Sequence, residues 1–209
     1  MTSHAADIQA LKNLWHWADA NNISAQTIPR SEEELLQLTH LDLSNQFLTY
    51  IPPEIAVLHN LKELDISDNL ITSLPAEIGN LKNLNVLILG TMNGGNYLTS
   101  LPPEIGKLEN LTYLVANKNE LEALPPEIGS LQSISEIDLF YNKLSSLPPE
   151  IGKLKTLKRI GLQYNQLTSL PEEMAQLKEL EFISVDSELL ENSSTKMILQ
   201  RTGATIKHD

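Results

Sequence analysis

Apolar residues recur at a fixed spacing through most of this chain. In residues 134–156 they fall at positions 1, 4, 6, 11, 14, 18 and 21 of a 23-residue unit, with an asparagine at position 9 and a proline at position 15. The step from position 4 to position 6 has the period of two that sends side chains to one face of a strand. Pro148 and Pro149 disfavour a continued helix and leave an extended or short 3₁₀ return path. Each unit is therefore predicted to form one coil, made of a strand, a turn and a return segment.

The unit repeats along the chain, with starts at residues 38, 61, 84, 111, 134, 157 and 180. Consecutive starts lie 23 residues apart, except that 27 residues separate 84 from 111, which implies a four-residue insertion between Leu89 and Leu98. The inserted sequence lies within residues 90–97 and is rich in glycine, and we expect Asn96 to take position 9 of that coil. Two interpretations stay open, a loop that grips a ligand and an insertion that is tolerated because a longer flexible loop costs little stability.

The pattern LxxLxLxxNxL, nearly unbroken over residues 38–185, resembles the leucine-rich repeat family. The tail LPxxIxxL, as in LPPEIGKL, is similar to the 23-residue class of Ras-suppressor and plant intracellular Ras-group repeats, which also occurs in bacteria. This resemblance implies an α/β fold, a right-handed solenoid curved like a horseshoe. One parallel β-sheet would form its concave face, 3₁₀ or extended segments its convex side, and helices would cap both ends.

The same pattern divides the chain into three regions. We expect an N-terminal helical cap at residues 1–37, the repeats at residues 38–185 (six full repeats and a final strand), and a C-terminal cap at residues 186–209. In the first cap, apolar residues at helical spacing predict an amphipathic helix over residues 3–20, on which Trp15 and Trp17 cannot both face the first coil.

Further helix signals stand at the two borders of the repeats. Ser31 and Glu34 form a capping box that begins a short helix. Near the other end, a helix is predicted from Ser193 or Ser194 to Arg201, stopped by Gly203. A closing extended segment is predicted at residues 205–206.

Composition narrows the classes of function. A formal charge of −12 repels phosphate backbones, so we expect no nucleic-acid partner. The sequence has no stretch of eighteen apolar residues, so no membrane span is predicted, and its start, MTSHAADIQ, lacks the features of a secretory signal. The chain has no cysteine, which favours a cytoplasmic location, the alternative being delivery into a host cell without a classical signal peptide. The five histidines form no local motif, and no cofactor or metal is expected.

In a solenoid of this kind, positions 3, 5, 7 and 8 of each coil are expected to face the concavity. These positions hold most of the Phe and Tyr residues of the chain, and exposed apolar or aromatic surface is typical of interaction sites. The other interpretation is that the aromatic side chains only stack along neighbouring strands and stabilise the sheet. The predicted partner-binding residues are Val86, Ile88, Tyr113, Val115, Phe140, Tyr141, Tyr164 and Phe182, with the acidic residues Asp42, Asp65 and Asp138.

Two classes of function follow. The first is a non-enzymatic protein–protein interaction module, in signalling or as an effector, that binds a protein or peptide on its concave face. The second is a hydrolase or metal-binding protein that uses Asp42 and Asp65 as a carboxylate pair. Such a pair needs a pocket that raises one pKa, which an open sheet does not offer. We therefore expect a binding protein and not an enzyme, monomeric rather than a homodimer formed through the concave patch.

Overall fold

The computed structural model describes the backbone of residues 2–208 and the side chains of residues 8–208. Its main element is an eight-stranded parallel sheet in which every strand pairs with the next one along the chain. The strands are β1 (His40–Asp42), β2 (Glu63–Asp65), β3 (Val86–Gly90), β4 (Tyr113–Ala116), β5 (Glu136–Asp138), β6 (Arg159–Gly161), β7 (Phe182–Ser184) and β8 (Thr205–Lys207). Pairing in chain order, with a crossover between all neighbouring strands, produces the predicted curved solenoid.

The register of the sheet follows the repeat. Position 3 of one coil pairs with position 3 of the next, as in Glu63 with Val86 and Val86 with Tyr113, and a bulge interrupts the register only where the insertion begins. Side chains at positions 4 and 6 point into the core and are buried in every coil. Because side chains alternate along a strand, positions 3 and 5 form two parallel rows on the opposite face.

The return segments are 3₁₀ helices. They span Pro53–Val57, Ala76–Asn80, Pro103–Lys107, Pro126–Ser130, Pro149–Lys153, Glu172–Gln176 and Ser187–Glu191. Proline fits the first turn because its missing N–H would have no partner there. In the first five segments the isoleucine of the LPxxI motif is fully buried, so each return contributes one large side chain to the continuous core.

A ladder of asparagines at position 9 joins the coils. Asn142 illustrates it, since its Nδ2 donates to the Ala116 carbonyl at 2.9 Å and its Oδ1 accepts the Leu121 N–H at 3.1 Å. Asn96 holds the same place in the coil with the insertion, as predicted, and bonds to the carbonyls of Ile66 and Leu89. Each amide therefore satisfies backbone groups that would otherwise be buried without partners.

The insertion at residues 90–97 is packed against the neighbouring coils. The Gly95 carbonyl accepts the Asn69 N–H at 3.1 Å, and the Tyr97 N–H donates to the Ile71 carbonyl at 2.9 Å. A Cβ atom at Gly95 would overlap the Lys118 carbonyl. Glycine is therefore used here for close backbone approach. The two interpretations of the insertion, a loop that grips a ligand and a tolerated insertion, stay predictions.

The N-terminal helix α1 spans Thr2–Ala20 and packs on the first 3₁₀ helix. Trp17 is buried and meets the Tyr50 ring edge to face at 6.3 Å, while Trp15 is half-buried and its Nε1 donates to the Pro29 carbonyl at 2.8 Å. One tryptophan is thus buried and the other partly exposed, as the helical spacing predicts. Helix α2 spans Glu32–Leu36 and is capped by the Ser31 hydroxyl.

The C-terminal helix α3 spans Ser193–Thr202. Its N-cap is Asn192, whose Oδ1 accepts the Thr195 N–H at 3.1 Å, and it ends at Gly203, which has a left-handed φ of 75°. The chain then adds β8 to the sheet. Among the helices that the structure describes, none has the length and hydrophobicity that crossing a bilayer requires.

Candidate functional site

The centre of the concave face is apolar. Val86 and Ile88 on β3 pair in register with Tyr113 and Val115 on β4, so the four side chains form a square on the sheet. Tyr113 is 41% exposed and the other three are half-buried. The sheet therefore brings together four of the predicted partner-binding residues.

The acidic flank lies beside this square, on β1 and β2, where Asp42 and Asp65 are register partners. Each carboxylate is engaged by its own coil, since the Ser44 N–H donates to Asp42 Oδ1 at 2.9 Å and the Ser67 N–H to Asp65 Oδ1 at 2.8 Å. Both aspartates thus cap the end of a strand. Within the described residues, no group of three or more His, Cys, Asp or Glu side chains is arranged to hold a metal ion.

Tyr141 and Tyr164 lie beyond the strands. Strands β5 and β6 end three residues earlier, and both tyrosines have positive φ angles of 57° and 59°. Their rings stack at a centroid distance of 4.2 Å, and Lys118 Nζ lies 5.9 Å from the Tyr141 ring. These side chains therefore occupy the carboxyl-terminal edge of the sheet, outside the two rows on its face.

A pocket of about 280 Å³ opens on the concave face over β5 to β8. Its lining residues are Glu136, Asp138, Phe140, Arg159, Ile160, Gly161, Phe182, Ser184 and Lys207. It includes three of the predicted site residues, the acid Asp138 and the half-buried aromatics Phe140 and Phe182. The Phe140 ring occupies the space above Gly161 where any other residue would place a Cβ atom.

One ion pair and two contacts between a cation and an aromatic ring organise the charged groups of this pocket. Arg159 Nε lies 3.8 Å from Glu136 Oε1, and the Arg159 guanidinium lies 5.0 Å from the centroid of the Phe182 ring. Lys207 Nζ is 5.9 Å from the same ring. Glu136 and Asp138 on β5 are the register partners of Tyr113 and Val115, so the apolar square borders directly on the charged side of the pocket.

The pKa of the Asp138 carboxyl is perturbed by its surroundings in this pocket. Burial raises the pKa of its carboxyl above the ordinary value, the negative charge of Glu136 raises it further, and Arg159 opposes the change. Desolvation disfavours the charged form of an acid, and a like charge does the same.

Sequence reasoning missed a second exposed apolar group on the edge of the first three coils. Phe47, Leu70 and Tyr97 take position 10 of these coils, and Phe47 is 75% exposed. They line a depression of about 270 Å³ together with Asp68 and Lys118. The sequence does contain a signal for this exposed group. Each of the three residues directly precedes a buried core residue, so its own side chain must point outward.

The fold and site allow a comparison with known proteins. The model of the leucine rich repeat family matches residues 37–93 and 132–190, more than half of the chain. No curated protein matches the sequence.

Three solved structures illustrate the similarity. A leucine-rich repeat protein of Leptospira interrogans is 31% identical with a TM-score of 0.58, over 86% of this chain and 57% of that one. The plant peptide hormone receptor RGFR1, in complex with RGF2, is 36% identical with a TM-score of 0.65, over 73% of this chain and 25% of that one. The ectodomain of the membrane receptor kinase GASSHO1/SCHENGEN3 from Arabidopsis thaliana, in complex with CASPARIAN STRIP INTEGRITY FACTOR 2, is 34% identical with a TM-score of 0.65, over 84% and 22%.

This chain therefore spans less than two thirds of the length of each of these proteins. The 23-residue Ras-suppressor-like subclass stays a prediction, since none of these matches distinguishes it. The matched family model, the repeat period, the parallel sheet and the asparagine ladder agree, and the chain belongs to the leucine-rich repeat family.

Proposed function

We propose that this chain is a protein–protein interaction module that binds a protein or peptide on the concave face of its sheet. The observation that carries the proposal is the division of the sheet into two faces. One face places its side chains in the core, whereas the other leaves the apolar square of Val86, Ile88, Tyr113 and Val115 open to solvent. Exposed apolar surface with a polar surround is typical of interaction sites.

The solved relatives support a binding function. RGFR1 is described as a peptide hormone receptor in complex with RGF2, and the GASSHO1/SCHENGEN3 ectodomain is also described in a complex. Both are similar to this chain over most of its length. From these two proteins we carry over to this chain only the general role of binding another polypeptide.

The arrangement of carboxylates favours binding over catalysis. Asp42 and Asp65, the pair that a hydrolase or metal site would use, accept hydrogen bonds from the backbone of their own coils. Their oxygen atoms therefore have a structural role at the strand ends. The monomeric state, the cytoplasmic location and a role in signalling or as an effector stay predictions from the sequence.

The proposal is tested with a partner captured by crosslinking and then purified. Tyr113→Ala removes an exposed ring from the centre of the face, and we expect a loss of about 2 kcal/mol or more, which is about thirtyfold in Kd. Its melting temperature should stay close to that of the wild type, because the ring lies outside the core. Phe140 is less suitable for this test, since its ring packs over Gly161.

Two further variants locate the surface. Tyr164→Ala reports on the edge of the sheet, and Lys107→Ala combined with Lys153→Ala changes exposed charges on the return segments. The lysine pair should bind like the wild type. If the lysine variant loses the partner and Tyr113→Ala keeps it, the recognition surface is convex and the proposal is wrong. Light scattering at the binding concentration distinguishes a homodimer from a monomer.

A further inference from the structure

The aspartates at position 5 are not equivalent along the sheet. In the first two coils the carboxylate accepts the N–H of a serine two residues later, at position 7. In the fifth coil that residue is Phe140, and its N–H donates instead to Asn117 Oδ1 at 2.8 Å. Asn117, which is buried, belongs to the preceding coil. In the fifth coil an asparagine of the preceding coil thus accepts the N–H that the position-5 aspartate accepts in the first two coils.

This exchange leaves the Asp138 carboxylate without the bond that its counterparts make. Among the described residues, no donor forms a hydrogen bond to Asp138, and no cationic nitrogen lies within 4.0 Å of it. Asp138 is half-buried, and no group of its own coil compensates for the partial loss of water around its carboxylate. The carboxylate is instead open to the pocket.

The pocket around Asp138 combines apolar and charged lining residues. Glycine at position 161 lets the Phe140 ring pack over the strand close to Asp138, since a Cβ atom there would overlap the ring and lie 3.0 Å from Asp138 Oδ1. Phe140 and Phe182 supply the aromatic part of the lining. Lysine and arginine combine an apolar stem with a charged end, which fits walls of this kind with an acid beside them.

The charges of the pocket favour a cation at Asp138, although Arg159 and Lys207 also line it. Arg159 is engaged by Glu136 at 3.8 Å and by the Phe182 ring, and Lys207 lies over that same ring. The negative charge of Glu136 acts on Asp138 more strongly than the positive charge of Arg159 does. An added cation would therefore meet a carboxylate that neither of the two resident cations pairs with, on a chain whose formal charge is −12.

We propose that the pocket over β5 to β8 is the anchor site for a lysine or arginine side chain of a peptide partner. The basic group pairs with Asp138, and its stem packs against Phe140 and Phe182. This inference rests on the proposed function, because it names the chemistry of the partner on the concave face. It predicts that the partner presents a basic segment, which also complements the acidic flank on β1 and β2.

The test uses three blocked pentapeptides as probes, titrated into the whole isotopically labelled protein at low salt and followed by amide chemical shifts. The sequence is acetyl-Ala-Ala-X-Ala-Ala-amide, where X is arginine, its neutral isostere citrulline, or glutamate. The arginine peptide should bind at millimolar concentration and shift the amides of Asp138, Gly161 and Phe182. The citrulline peptide should bind at least tenfold more weakly, because it lacks the charge.

Two matched variants separate the pocket from general charge attraction. Asp138→Asn should weaken the arginine peptide about tenfold, which corresponds to the loss of one charge-assisted hydrogen bond. Glu127→Gln removes one negative charge from an exposed position on a return segment and should leave the affinity within twofold of the wild type. Dispersed amide spectra of both variants show that they are folded.

Four results would overturn the inference. They are equal binding of the citrulline peptide, equal weakening by Glu127→Gln, no shift at the pocket amides at millimolar peptide, and preferential binding of the glutamate peptide. The last result would assign the pocket to an anion held by Arg159 and Lys207. Each of them leaves the Tyr113→Ala test of the concave face unaffected, so failure of the pocket and failure of the proposed function are distinguishable.

Discussion

Replacing Asn142 by leucine should remove one step of the asparagine ladder without opening a cavity, because the two side chains have a similar shape. The Leu121 N–H would lose its only described acceptor and stay buried, at a cost of about 1–3 kcal/mol. The Ala116 and Leu139 carbonyls would lose one donor each but keep a second, from Asn119 and Asn165. We therefore expect a total loss of about 2–4 kcal/mol in the free energy of unfolding.

Urea unfolding followed by circular dichroism measures this loss, and in a chain of this length it lowers the melting temperature by roughly 5–15 °C. The matched control is Gln46→Leu, at the same repeat position in the first coil. Gln46 is exposed and its amide makes one hydrogen bond, to the Ser44 carbonyl at 3.3 Å, so we expect a change below about 0.5 kcal/mol.

Hydrogen exchange gives a local reading of the same change. The Leu121 amide should lose protection in Asn142→Leu, whereas the Leu144 amide, which donates to Asn165, should keep it. If Asn142→Leu costs no more than Gln46→Leu, the ladder does not stabilise the solenoid and the reasoning is refuted.

Three more predictions concern the insertion, the cap and the pocket. Gly95→Ala should lower the free energy of unfolding in a urea titration by about 1–3 kcal/mol, because the added Cβ meets the Lys118 carbonyl. The control is Asn93→Ala, at an exposed residue of the same loop, which should cost little. Equal losses in the two variants would show that the insertion is not packed. Removal of residues 1–30 should expose the edge of the first coil and cause aggregation in size-exclusion chromatography, and a monodisperse monomer would argue against the division into cap and repeats. The pKa of Asp138 is raised in the folded state, so the folded protein binds this proton more tightly than the unfolded chain does. Protonation of Asp138 therefore stabilises the fold. This contribution is fully present below the ordinary Asp pKa and is lost as the pH rises through the raised pKa of the folded state. Asp138→Asn should therefore raise the melting temperature slightly at pH 7 and less below about pH 4, and a lower melting temperature at pH 7 would contradict this.

The sequence predicts the fold well because its signals lie within one coil. A period of two places Ile137 and Leu139 in the core, and the 23-residue repeat fixes the pairing of every strand. Asn96 could be identified as the position-9 residue in spite of the insertion, because this position needs an amide that forms hydrogen bonds to buried backbone groups.

The site was less predictable because it depends on contacts between coils. Asp42, Asp65 and Asp138 look alike in the repeat, and only the bond from Phe140 to Asn117 of the preceding coil distinguishes the third. The packing of residues 90–97 likewise depends on backbone atoms of coils on both sides. The period of a repeat defines which face of the sheet a side chain lies on. It does not define which hydrogen bonds and packing contacts that side chain makes with the neighbouring coils.

The asparagine ladder also has a direction. The oxygen of each ladder asparagine accepts an N–H from the coil before it, as Asn69 does from Leu48 and Asn165 does from Leu144. After the last asparagine, Asp186 takes a related place and accepts the N–H groups of Tyr164 and Asn165. Each of the first five coils therefore depends on the next coil for the acceptor of one of its own backbone N–H groups. A chain shortened at the end of any of the first five coils would leave the N–H at position 11 of its last coil without its asparagine acceptor.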